Sequence, residues 1–282
     1  MTTADTVRAR KCWRTLEPYH GFVYFAPEAT EEYAALGVEG RTGYFLSRSA
    51  AMGRVSAATV VATFYNFNPS LVVHAMDGVP QGIDVADVLA ARYRAVDRVL
   101  RDRLGDGVTS RGMARAADLA ERATTGLVGR CVGRPLAAAH AALPVPAEDH
   151  LRLWWAITAL REHRGDGHLV ALVDAELSGL EALVVHAASG DVGADVLKAT
   201  RAWPDTDWDE AADGLVRRGL LLSDGSFTEA GRDLHQQIED RTDRLAAPAW
   251  AQLTDDEGAE LRELVRPWSK AVFAGMSLLR SP

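Results

Sequence analysis

The stretch that decides the fold is Ala50-Ala51-Met52-Gly53-Arg54-Val55-Ser56-Ala57-Ala58-Thr59-Val60-Val61-Ala62-Thr63, because the chain writes it twice. Ala187-Ala188-Ser189-Gly190-Asp191-Val192-Gly193-Ala194-Asp195-Val196-Leu197-Lys198-Ala199-Thr200 repeats Ala50, Ala51, Gly53, Val55, Ala57, Ala62 and Thr63 in register. The offset is constant, since Gly190 stands 137 residues after Gly53 (190 − 53). A period near half of a 282-residue chain is far longer than a solenoid unit and implies duplication of a whole domain.

In each copy the stretch leads into two short helices. Ser56 is placed to cap a helix over 57–65, Asn66-Phe67-Asn68 breaks it, and Pro69 opens a second helix reaching Met76. The later copy gives helices over 195–202 and 207–218. Two short helices joined by a tight break are the helix-turn-helix pattern. A wing hairpin fits near Asp77-Gly78 and Gln81-Gly82, and a second over 220–228, with Asp224-Gly225 as its turn. Thr228 then caps a long helix. Long amphipathic helices over 84–104, 110–129, 148–163 and 255–279 complete the pattern, Gly165-Asp-Gly167 interrupts the third, and 169–188 resumes helically. Arg130 to Pro146, punctuated by Pro135, Pro144 and Pro146, is the expected boundary, dividing the chain into 1–140 and 147–282. The expected fold is mostly α, a tandem of winged helix-turn-helix domains with small β wings.

Composition sets outer limits. Apolar residues at 48% and charged residues at 25% are ordinary for a globular protein. The N-terminus lacks an apolar leader and no run is long enough to cross a bilayer, so a cytoplasmic protein without a membrane partner is expected. Cys12 and Cys131 have neither the number nor the spacing of a disulfide framework or zinc knuckle. Lysine occurs only at 11, 198 and 270 while arginine supplies the remaining basic residues, a bias expected of a GC-rich, actinobacterial genome.

The segment Leu215-Val-Arg-Arg-Gly-Leu-Leu221, with Asp224-Gly225 and Phe227-Thr-Glu-Ala-Gly-Arg-Asp-Leu234, resembles the wing region of MarR-type winged-helix regulators. The whole chain is similar to an uncharacterised actinobacterial helix-turn-helix family at Leu16-Glu-Pro-Tyr-His20, Thr63-Phe-Tyr-Asn-Phe67 and Leu160-Arg-Glu-His-Arg-Gly-Asp-Gly-His168. The MarR resemblance implies dimers with ligands held between dimerisation helices and winged lobes. Two such halves in one chain would make an intrachain pseudo-dimer, acting as a monomer or pairing into a homodimer.

The residues that read DNA are missing from this pattern. No Lys or Arg lies between Arg54 and Arg92, where the first reading helix falls, nor between Arg201 and Arg217, where Asp205, Asp207, Asp209, Glu210 and Asp213 crowd the second. Binding to phosphates rests on such cations, and base reading on Arg, Lys, Asn or Gln, so DNA is not the expected partner. The alternative is a ligand-responsive MarR-type regulator that does bind DNA.

Chemistry-bearing residues gather elsewhere. Arg161, Glu162, His163, Asp166 and His168 form the densest ionisable cluster, and Glu17, His20 and Tyr24 stand at the matching place in the first half. With Arg48 and Tyr65, these are expected to face a cavity between the halves that takes a small organic molecule. Catalytic roles fall to His20, His163, His168, Glu162 and Asp166; ligand-binding roles to Glu17, Tyr24, Arg48, Tyr65 and Arg161. The chemistry would be acid–base, of a lyase, isomerase or cyclase kind, with His20 or His168 as base and Arg161 or Arg48 as anion clamp. No cofactor is expected. Haem or a metal through His20, His163 or His168 is the lesser alternative, since His163 and His168 are five apart rather than on one helical face.

Overall fold

The computed structural model describes residues 3–274. Among them the chain is helical throughout apart from turns and one isolated antiparallel bridge, Leu221 with Phe227. The helices are α1 (Thr3–Gly21), α2 (Pro27–Ala34), α3 (Gly40–Ser49), α4 (Ala57–Thr63), α5 (Pro69–Asp77), α6 (Val85–Leu104), α7 (Arg111–Thr124), α8 (Pro135–Ala141), α9 (Asp149–Asp174), α10 (Gly179–Ala188), α11 (Ala194–Arg201), α12 (Asp205–Arg217), α13 (Glu229–Trp250) and α14 (Asp255–Phe273).

The repeat is visible in the backbone. Gly53 and Gly190 both take left-handed conformations, at φ 77° and 82°, which a side chain would resist. Four residues after each glycine a helix begins, α4 at Ala57 and α11 at Ala194. Ser56 caps the first, its hydroxyl accepting from the Thr59 amide at 3.2 Å. The expected β wings do not form as strands among the described residues. At the second, Gly225 (φ 81°) turns the chain and Leu222 N donates to Ser226 O at 2.8 Å, but the hairpin is too short to pair beyond one bridge. At the first, α5 runs to Asp77, and Ile83 N folds back to Pro80 O at 3.4 Å, a turn in place of a hairpin.

The chain divides into two compact units, and they interleave rather than split near 140–147. One comprises the described part of 1–55, 78–167 and 243–282; the other comprises Ser56–Asp77 with His168–Thr242. The Pro-punctuated stretch 130–146 lies inside the first unit. It carries α8, whose Leu136, Ala137 and His140 are buried, so its prolines start a packed helix rather than free a linker.

The first unit is built on α1, α6, α7 and α14 with α2 and α3. Burial explains the helix α1: Ala9, Cys12, Leu16, Tyr19 and His20 recur at three- and four-residue spacing and face inward, and α14 packs along them. Helix α6, capped by Asp84 on the Ala86 amide at 2.9 Å, buries Val88, Ala91, Ala95, Val96, Val99 and Leu100, with Arg92 in the same stripe. Helix α9 passes through Gly165-Asp-Gly167 without the expected interruption. Gly167 serves close approach instead: a Cβ there would lie 3.2 Å from both Arg134 Nη1 and Leu245 Cβ.

The second unit contains both helix-turn-helix pairs. Their turns meet: Asn68 N donates to Arg201 O at 3.0 Å, Trp203 Nε1 to Asn66 O at 2.9 Å, and the Arg201 guanidinium lies 4.6 Å from the centre of the Phe67 ring. Tyr65 donates to Leu177 O at 2.6 Å. Helix α10 opens with a Ser178–Glu181 capping box, and the residue after Ser178 must be glycine: a Cβ on Gly179 would sit 1.9 Å from Tyr65 O. Around this joint Leu177, Leu180, Leu183, Leu197, Trp208, Leu215 and Ile238 make the unit's core.

Candidate functional site

The first unit holds an unusual density of ionisable groups at its interior. Arg48, Arg92, His20, His140 and Glu162 are all buried, and the half-buried Arg161 joins them. Four elements deliver all of them but His140. Helix α1 brings Glu17, His20 and, in the turn after it, Tyr24; α3 brings Tyr44, Ser47 and Arg48; α6 brings Arg92; α9 brings Trp154, Thr158, Arg161 and Glu162. The spacing Trp154, Thr158, Glu162 is i, i+4, i+8, one continuous face of α9.

The hydrogen bonds fix the protons. The Thr158 hydroxyl donates to Trp154 O at 2.7 Å, so its oxygen accepts from His20 Nδ1–H at 3.0 Å. His20 Nε2 is then the bare nitrogen, and accepts the Tyr24 hydroxyl proton at 2.7 Å. Stacking holds the imidazole in place, its ring 5.8 Å from Trp154 and nearly parallel to it. Burial, reinforced by Arg161, Arg92 and Arg48, pushes the His20 pKa well below the ordinary histidine value, so the ring is neutral at physiological pH. The Tyr24 oxygen accepts from Arg92 Nη2 at 3.4 Å, and the guanidiniums of Arg48 and Arg92 lie 5.0 and 5.6 Å from its ring centre. These cations oppose positive charge on the imidazole.

Glu162 is the acid that makes the cluster tolerable. Burial alone would raise its carboxyl, but Arg161, with Nη1 at 2.9 Å, and Arg48, with Nη2 at 3.9 Å, bring it down to about 2. Arg161 also reaches Glu17 at 3.3 Å, Arg48 Nη1 donates to Tyr44 at 2.6 Å, and Arg92 Nη1 donates to Ser47 O at 2.8 Å. His140, supplied by α8, completes the group. Burial, opposed by Glu162 and assisted by Arg92, lowers its pKa to about 4, and its Nε2 is buried with no hydrogen-bond partner among the described residues. Arg92 Nε is a second such atom. Three guanidiniums face two carboxylates here, so the cluster carries an excess positive charge.

Beside it opens a cleft of about 30 Å³, room for two or three waters. Tyr24, Tyr33, Tyr44 and Ser47 form its polar wall and Val23, Ala26, Ala29 and Val38 its apolar one. Gly43 shapes the wall, since a Cβ there would press to 2.9 Å on the Tyr33 ring.

Of the residues expected at the site, the structure brings together Glu17, His20, Tyr24, Arg48, Arg161 and Glu162. The others serve elsewhere. His163 Nε2 meets Arg134 Nη1 at 2.9 Å, with burial and that guanidinium lowering its pKa to about 4, and Asp166 accepts from the Ala137 amide at 2.9 Å, capping α8. In the unbroken α9 His163 is rotated away from the face of 158 and 162, whereas Asp166 continues that face one turn beyond Glu162 and is taken up there by the Ala137 amide. Tyr65 belongs to the second unit, as does His168, whose Nδ1 lies 2.9 Å from Thr242 Oγ1. Among the described residues no three of His, Cys, Asp and Glu converge as a metal set. Both nitrogens of His20 are already taken within the protein. Sequence reasoning missed Tyr44, Arg92 and His140. The available signal was Arg92 itself, an arginine four residues from both Val88 and Val96 in an otherwise apolar stripe.

The helices expected to read DNA present a different surface. On α12 Asp205, Asp207, Asp209, Glu210 and Asp213 are all exposed, and on α5 the exposed residues are Pro69, Ser70, Val73, His74 and Asp77.

The model of a helix-turn-helix family matches residues 9–278, nearly the full chain. Neither the curated proteins nor the solved structures provide a match.

Proposed function

The chain belongs to a helix-turn-helix family, and from that premise we propose that it is a small-molecule-binding protein whose tandem, MarR-like scaffold has given up reading DNA. The observation that carries this is the buried cluster of Arg48, Arg92, Arg161, His20 and Glu162 beside an open cleft. Apolar side chains would hold these helices as well or better, because desolvating charges costs more than their pairing commonly returns. Such an expense is met where polar groups are kept for a ligand.

The chemistry within reach is proton transfer. A ligand in the cleft touches Tyr24, whose proton is already shared with His20 Nε2. Negative charge arriving near Arg48 and Arg92 lifts part of the electrostatic pressure on His20 and raises its basicity. Tyr24 and His20 thus form a relay that engages when an anion binds, an acid–base device needing no redox group.

The acidic face of α12 and the cation-free face of α5 support the loss of DNA reading. The rival regulator rests on the family scaffold and is separated by one experiment. DNA from upstream of the protein's own coding sequence is titrated at low and at physiological salt. The proposal expects neither sequence preference nor a steep salt slope; specific binding that weakens strongly with salt would replace it with the regulator.

A further inference from the structure

We propose that the cleft formed by α2, α3 and the turn after α1 is the binding site of an organic carboxylate, with Arg41 as the residue that receives its charge. This deepens the small-molecule function proposed above and rests on it.

Arg41 lines the cleft at the first turn of α3 and is half-buried. Its position is electrostatically odd. Burial lowers its pKa, and the group acting in the other direction is the Tyr44 hydroxyl rather than an acid. Among the described residues no carboxylate pairs with it, while the exposed Arg94, Arg98 and Arg115 and the half-buried Arg152 all find acids. A partly desolvated guanidinium left without an anion costs stability that an incoming anion would recover.

The rest of the lining points the same way. Among the described residues no Asp or Glu lines the cleft, and Arg41 is the one charged side chain in its wall. The backbone adds to it: the capping position of α3 is Glu39, whose side chain makes no capping bond, so the first amides of the helix are not covered by that side chain. The opposite wall is Val23, Ala26, Ala29 and Val38, which suits a compact hydrocarbon body. The enclosed space of about 30 Å³ matches a carboxylate head and little more, so the body lies along the apolar wall toward the opening. A phosphate ester would bring two charges to a single guanidinium; a monocarboxylate matches one charge with one. Bidentate pairing of carboxylate with the Arg41 fork gives orientation as well as affinity.

The test uses full-length protein and calorimetric titration with acetate, butyrate and benzoate, each beside its neutral amide, and with inorganic phosphate. Arg41→Met keeps the aliphatic stem and removes the charge; Arg111→Met, at the exposed start of α7, is the control for loss of a surface cation. Circular dichroism verifies folding of both. The expected result is binding of butyrate or benzoate at least about tenfold tighter than the matching amide, lost by at least about tenfold in Arg41→Met and unchanged in Arg111→Met, the scale expected for a charged hydrogen bond. Equal binding of acid and amide, indifferent to Arg41→Met, would overturn the carboxylate assignment and leave a small-molecule cleft standing. Preference for phosphate over every carboxylate would overturn it in favour of a phosphorylated ligand. No binding of any probe would overturn both this assignment and the small-molecule function.

Discussion

Glu162→Gln is the substitution on which the electrostatics of the buried cluster can be measured. The carboxylate is 2% exposed and is the acid shared by Arg161 and Arg48. The fall of its pKa from 4.5 to about 2 corresponds to roughly 3 kcal/mol of favourable interaction at neutral pH. Glutamine keeps the shape and one acceptor, but it leaves three guanidiniums facing Glu17 alone, and losing one partner of a buried pair costs roughly 3–5 kcal/mol. A loss of about 3 kcal/mol is therefore expected, equivalent to a drop of roughly 6–12 °C in Tm for a chain of this size. Because the folded pKa is depressed, the wild-type advantage is fully present above pH 4.5 and disappears as pH falls toward 2. Urea denaturation at pH 7, 5 and 3, followed by tryptophan fluorescence that reports Trp154 and Trp155 beside the cluster, supplies the comparison. Wild type and variant should differ by about 3 kcal/mol at pH 7 and by roughly half of that at pH 3. A variant within 1 kcal/mol of wild type at pH 7, or a gap that does not narrow with acid, would refute the argued balance of charges.

Other outcomes follow from the same geometry. Arg92→Leu removes a buried cation from an apolar stripe of α6, so stability should hold or rise by about 1 kcal/mol while carboxylate binding weakens, a separation that thermal melts and titration on one preparation would show. Gly179→Ala forces a methyl against Tyr65 O and should destabilise the second unit by roughly 1–3 kcal/mol or more, read by hydrogen exchange across α4 and α10 with α1 and α14 unaffected.

The two organising features differed in how readily the chain discloses them. The helices were legible because their punctuation is local: Ser56 and Thr228 sit where a hydroxyl caps a helix, Pro69 and Pro27 open one, and Gly53 and Gly190 mark equivalent left-handed turns. The interleaving of the two units was not, since it depends on meetings far apart in sequence, Gly179 under Tyr65 and Asn68 on Arg201. The same holds within the site. Glu17, His20, Tyr24, Arg48, Arg161 and Glu162 stand out as ionisable or aromatic groups in apolar helices, and they converge. His163 and Asp166 share that sequence signal, but His163 falls off the helical phase of Glu162 and Asp166, one turn beyond it, is held by the Ala137 amide at the start of α8; neither is decidable until α9 is known to run unbroken through Gly165 and Gly167. His140 hid in an Ala- and Pro-rich stretch that reads as a linker until its packing is seen.

The central claim is that ligand recognition resides in the cleft at Tyr24 and Tyr44, not in the helix-turn-helix pairs. It is tested most directly by 13C-tyrosine NMR of the full-length protein, with resonances assigned through single Tyr→Phe variants, during titration with a small-molecule binder from a thermal-shift screen of acids and neutral compounds. The account predicts that Tyr24 and Tyr44 shift in a saturable manner while Tyr65, bonded to Leu177 in the second unit, stays in place. A binder that moves Tyr65 and leaves Tyr24 and Tyr44 unchanged would contradict it.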